Sequence, residues 1–106
     1  MLNEMLSAED RDRILRQAEE QLDAIAADLR GARSRDDLPG IQQEAHKLAG
    51  LAGTAGCVGV AGLARAIEAA CEKPDRMLLA RQFGELDAAV PEAIAALRRW
   101  RLGPSA

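Results

Sequence analysis

Apolar residues along the chain recur at steps of three and four over most of its length, the spacing of one helix face and not the alternation of a strand. From Ile14 the stripe runs through Leu15, Ala18, Leu22, Ile25, Ala26 and Leu29, within an arc of about 120° on a helical wheel. Ser7 is placed to cap this first helix, with Asp10 at the return position of a capping box, and Gly31 is its expected end. After a polar turn from Ala32 to Asp36, Asp37 can cap a second helix with Pro39 in its first turn, where a missing amide proton costs nothing. Its apolar side is Ile41, Ala45, Leu48, Ala52 and Ala55.

A third helix is predicted from about Val60 to Glu72, with Val60, Leu63, Ile67 and Cys71 inward, and Lys73-Pro74-Asp75 reads as a stop followed by a new cap. In the last segment Leu79, Phe83, Leu86, Val90, Ile94 and Leu97 keep helical phase across Pro91. That predicts one kinked helix from about Arg76 to Trp100, with Arg98, Arg99 and Arg101 near its C-terminal end, where the helix dipole favours cations. Four amphipathic helices with short connections predict an all-α, antiparallel up-and-down four-helix bundle. At 106 residues the chain is expected to be a single domain, 1–106.

The stretch from Leu48 to Ala64 fits less easily, because it carries no charge and has glycines at 50, 53, 56, 59 and 62. Seventeen residues fall short of the roughly 20 a bilayer needs, and five glycines keep them weakly hydrophobic, so no membrane association is expected. The three-residue glycine spacing is too short and proline-free for collagen. A helix end, a bend near Gly56 to Gly59 and a new helix start account for it.

Composition sharpens the picture. Twenty-two alanines, one Phe, one Trp and no Tyr suit helices, and a net charge of −3 with so few rings argues against nucleic acid. The first residues, Met1-Leu2-Asn3-Glu4, lack the basic start and apolar run of a signal peptide, so the expected compartment is the cytoplasm. Leu2, Met5 and Leu6 could cap the bundle or mediate dimerisation. Cys57 and Cys71 have no further Cys or His at ligand spacing, so neither zinc nor a disulfide is indicated and both are expected to be buried as small apolar residues.

The candidate chemistry centres on the one histidine. With His46 at the zero of the wheel, the apolar side of the second helix centres near 210°, so the imidazole is expected to face water. Gln42, Gln43, Ala49, Gly50 and Gly53 fall within about 60° of it and form the candidate partner-binding face. Glycine on an exposed helix face costs roughly 1 kcal/mol relative to alanine. Two of them beside the ring therefore suggest room for close approach by a partner's backbone or a phosphoryl group. Imidazoles titrate near 6.5, so at neutral pH such a ring offers an unprotonated nitrogen as a nucleophile. No second imidazole, carboxylate or thiolate stands three or four residues after His46, so no metal site is expected.

The run His46-Lys47-Leu48-Ala49-Gly50, followed by Gly53 and Gly56, resembles the signature of histidine-containing phosphotransfer (HPt) domains, His-x-Leu-Lys-Gly with a glycine ten residues after the histidine. The resemblance implies a phosphoryl carrier of a two-component phosphorelay and not an enzyme, with His46 accepting phosphate from an aspartyl phosphate on one receiver domain and passing it to another. The implied partners are a response-regulator receiver domain and a sensor histidine kinase; the receiver would supply the acidic pocket and Mg²⁺, and this chain itself would need no cofactor. An adaptor that binds a receiver or kinase without being phosphorylated is the competing expectation, because the family's lysine three residues after the histidine is Ala49 here. Lys47 is the nearest substitute cation, about 100° round the wheel. Glu68 is a second candidate for ring support, since a carboxylate at a similar distance orients the imidazole in the related chemotaxis-kinase domain; it could otherwise pair with Arg65 or Lys73.

Overall fold

The computed structural model describes residues 7–103. Four helices follow one another, α1 (Ala8–Ser34), α2 (Leu38–Thr54), α3 (Val58–Ala70) and α4 (Arg76–Leu102). Each helix packs on its neighbours in sequence, α4 closes back onto α1, and the backbones of the diagonal pairs stay apart. This is the antiparallel up-and-down bundle that the periodicity predicts. Leu2, Met5 and Leu6 lie outside the described residues.

Local chemistry sets most helix starts. Ser7 and Asp10 form the capping box, with the Asp10 amide donating to Ser7 Oγ at 3.0 Å. Asp37 accepts from the Gly40 amide at 3.0 Å with Pro39 in the first turn, and Asp75 accepts from the amides of Met77 and Leu78. At the α2–α3 bend Gly56 adopts φ +81°, a conformation that disfavours side chains. Helix α4 passes through Pro91 without a break, as its stripe requires.

Three expectations need correction. Gly31 does not end α1, which continues to Ser34 because tertiary packing outweighs the glycine's helix cost: Ala32 is buried, and the Arg33 guanidinium lies 4.7 Å above the Phe83 ring. Ile14 is not in the core but 48% exposed. Helices α1 and α4 have 27 residues each, about 40 Å, and outrun the 17-residue α2 and the 13-residue α3, which leaves the first turns of α1 less covered than its middle. Cys57 and Cys71 are half-buried free thiols, and this burial still pushes both upward in pKa, with the Glu68 charge adding to the effect at Cys71.

Where α1 and α4 pair without the other helices, charge joins them. The buried Glu19 carboxylate accepts from Arg98 Nε at 3.2 Å and from Arg101 Nε at 2.8 Å, and Arg101 also donates to Asp12 at 3.0 Å. Burial alone would raise the Glu19 pKa, but the hydrogen bonds and charges of Arg101 and Arg98 outweigh it and hold the group below the usual 4.5. A depressed folded-state value means that this contribution to stability is present above about 4.5 and lost as pH falls through the lower folded value. The urea midpoint is therefore expected to hold from pH 7 to about 5 and then decline. Glu19→Gln should lower the midpoint at pH 7 and shrink the acid decline, a difference that parallel titrations of the two proteins will read.

Candidate functional site

The site is built where α2 and α3 lie antiparallel. Ala45, Ala49 and Ala52 of α2 and Ala61 and Ala64 of α3 are all buried, and side chains this small let the two backbones approach closely. Close approach brings groups on the outer rim of the seam into contact. The His46 side chain is 76% exposed, and its Nδ1 lies 2.8 Å from Glu68 Oε2, 22 residues further along the chain. An ionised carboxylate can only accept, so this geometry selects the tautomer in which Nδ1–H donates to Glu68. Nε2 is then the ring nitrogen with a free lone pair. Neither Arg65 nor Lys73 takes Glu68, which is spent on the ring.

The rest of the predicted face divides. Gln43, Gly50 and Gly53 are exposed and Gln42 is half-buried, consistent with their places on the wheel. A β-carbon at Gly50 would meet nothing within 4 Å, so the surface next to the ring is open. Ala49 is the exception: at 4% exposure it belongs to the core and not to a partner-binding face. The wheel assumed one apolar centre, whereas α2 packs on both α1 and α3, and the second contact extends the buried arc from Ala45 to Ala49. Lys47 Nζ donates to Glu44 at 3.2 Å, on the flank of α2 away from the ring's open side.

Arg65, which the sequence suggests only as a partner for Glu68, stands elsewhere. Nη2 of Arg65 lies 3.6 Å from the place where a β-carbon of Gly53 would stand, so a cation from α3 overhangs the glycine surface of α2. The available clue was Arg65's position one turn before Glu68, on the side of α3 that borders the histidine face.

Among the described residues no group of three or more His, Cys, Asp or Glu is arranged to hold a metal ion, and no helix is long and apolar enough to cross a membrane. The model of the Hpt domain family matches residues 6–100. Searches among curated proteins and among solved structures gave no match. With a four-helix bundle and the family's match extending over nearly all of its length, the chain belongs to the Hpt domain family, whose members serve phosphotransfer in phosphorelays.

Proposed function

We propose that the protein carries a phosphoryl group on His46 between aspartate-bearing receiver domains of a two-component phosphorelay. The observation that supports this most is the exposed imidazole with Nδ1 engaged by Glu68 and Nε2 left to the solvent. In the proposed step the Nε2 lone pair attacks phosphorus in line while the bond from phosphorus to the partner's aspartyl oxygen breaks. The electron pair leaves with that carboxylate, the Nδ1 proton stays in place, and the ring becomes a phosphorylated imidazolium. Glu68 then faces a cation where it faced a neutral ring, so its hydrogen bond strengthens as the transfer proceeds, which lowers the barrier and not just the ground state. The receiver brings the acidic pocket and its Mg²⁺, and this chain contributes position and access. A sensor histidine kinase at the head of the relay and a cytoplasmic setting belong to the same proposal.

Incubation with a receiver carrying a labelled aspartyl phosphate tests the reading. Acid-labile label on this protein is the expected result. A stable complex without label would favour an adaptor, the role that the alanine at position 49 keeps open, and neither label nor complex would end both readings.

Glu68 enters this proposal as a positioning residue. Its side chain is partly exposed, so the charge-assisted hydrogen bond is taken at the low end of its range, about 1.4 kcal/mol, which is tenfold in rate. Glu68→Ala is expected to slow phosphoryl uptake about tenfold. Glu68→Gln, which still offers an accepting oxygen, should lose less. Nitrogen NMR of the ring supplies the independent readout: Glu68→Ala should shift the neutral ring toward the Nε2–H tautomer, a change that damage elsewhere in the bundle would not produce.

A further inference from the structure

A phosphoryl group placed on Nε2 brings negative charge to a surface whose nearest fixed charge is the Glu68 carboxylate, so the phosphorylated state needs a cation within reach. Lys47 and Arg65 are the only lysine or arginine residues on α2 and α3. Lys47 is held by Glu44 on the flank of α2. Arg65 is exposed, makes no salt bridge among the described residues, and overhangs Gly53 on the same surface as the ring.

The register of the two helices makes the placement specific. They run antiparallel, and the His46–Glu68 contact brings residue 46 roughly level with residue 68. Moving three residues forward on α2 and three back on α3 sets Ala49 level with Arg65, since both helices rise equally per residue. The position where a lysine would follow the histidine in the motif is thus filled by a buried alanine, while Arg65 rises from the facing helix near that level with its guanidinium at Gly53. Gly50, which shares the exposed face of α2 with His46 and Gly53, leaves open space where a β-carbon would stand. Arg65 has a long, freely jointed stem and is held by no salt bridge among the described residues, so its guanidinium is free to swing over the glycine surface toward His46.

We propose that Arg65 acts from α3 as the counter-cation of the phosphoryl group on His46, hydrogen-bonding its oxygens during transfer in place of the cation that α2 lacks at position 49. The inference rests on the phosphocarrier reading above. Arg65 makes and breaks no covalent bond in this role. Its planar fork of donors matches phosphoryl oxygens in bidentate fashion, which a solvated lysine cannot reproduce in full.

The test uses the full chain and two substitutions, Arg65→Gln and Arg65→Lys, with folding checked by circular dichroism. Each protein is mixed with a phosphorylated receiver, and the rate of label transfer is followed at low and high ionic strength. The expected result is transfer about tenfold slower in Arg65→Gln, partial recovery in Arg65→Lys, and a weaker salt dependence in Arg65→Gln than in the unsubstituted protein. Label on the unsubstituted protein together with an Arg65→Gln rate within about twofold of it would overturn the role of Arg65 and leave the carrier reading standing. A loss that Arg65→Lys does not recover at all would likewise overturn it. Absence of label on the unsubstituted protein would instead remove the carrier reading, and this inference with it.

Discussion

Replacing His46 with glutamine is expected to abolish phosphoryl acceptance while leaving the fold unchanged. The side chain is 76% exposed and its one hydrogen bond is to the partly exposed Glu68, so little packing is lost. Glutamine keeps a polar group of similar reach that can still donate to that carboxylate. Its amide nitrogen, however, has its lone pair delocalised into the carbonyl and cannot hold a phosphoryl group. Transfer from a phosphorylated receiver should therefore fall below detection, with the thermal midpoint within a few degrees of the unsubstituted protein. The full effect is expected from this one substitution because no second histidine exists in the chain to take over. Acid-labile label that persists in His46→Gln would place the phosphoryl group elsewhere.

The second large effect is on stability. Phe83 is 1% exposed on the inner face of α4, in its N-terminal third, and is the largest fully buried side chain in the described bundle. Its neighbours in the core are mostly alanine, leucine and isoleucine, with no other aromatic side chain buried among them. Phe83→Ala should cost about 3–5 kcal/mol, combining lost apolar burial with a cavity that helical backbones close only in part. The Arg33 guanidinium above the ring would lose its aromatic partner as well, worth about 0.5–1 kcal/mol at an exposed site. A domain of this size is typically stable by about 5–15 kcal/mol, so a large fraction of the total is at stake. Thermal unfolding should shift down by roughly 15 °C or more. Phe83→Leu, which keeps most of the volume, should lose far less, and equal losses in the two variants would argue against cavity formation as the cause.

The architecture was legible because it rests on periodicity. The stripe across Pro91 needed no tertiary information, and the caps at Ser7, Asp37 and Asp75 are local devices of side-chain oxygen and backbone amide. The end of α1 was not legible, since Gly31 favours termination locally and only the burial of Ala32 and the Arg33–Phe83 contact, both tertiary, carry the helix onward. The exposure of Ile14 follows from unequal helix lengths, which no single stripe encodes.

The candidate site shows the same division. The outward direction of His46 could be read from the wheel because the apolar residues of α2 lie opposite. Glu68 could be nominated but not paired, because its contact with His46 depends on how far α3 slides along α2. Ala49 was misplaced for a related reason: an alanine fits either surface or seam, and which one it occupies is decided by the helix that approaches. Arg65 follows from that same slide, and once the register is known its level with Ala49 can be counted off the sequence.

Phosphorylating the protein with ¹⁵N-labelled histidine and recording ³¹P–¹⁵N couplings tests the central claim most directly. A phosphoryl group on Nε2 of His46, with Nδ1 still protonated and facing Glu68, is the predicted result. Phosphorus on Nδ1, or a ring without phosphorus after a receiver has discharged its phosphoryl group to the protein, would contradict it.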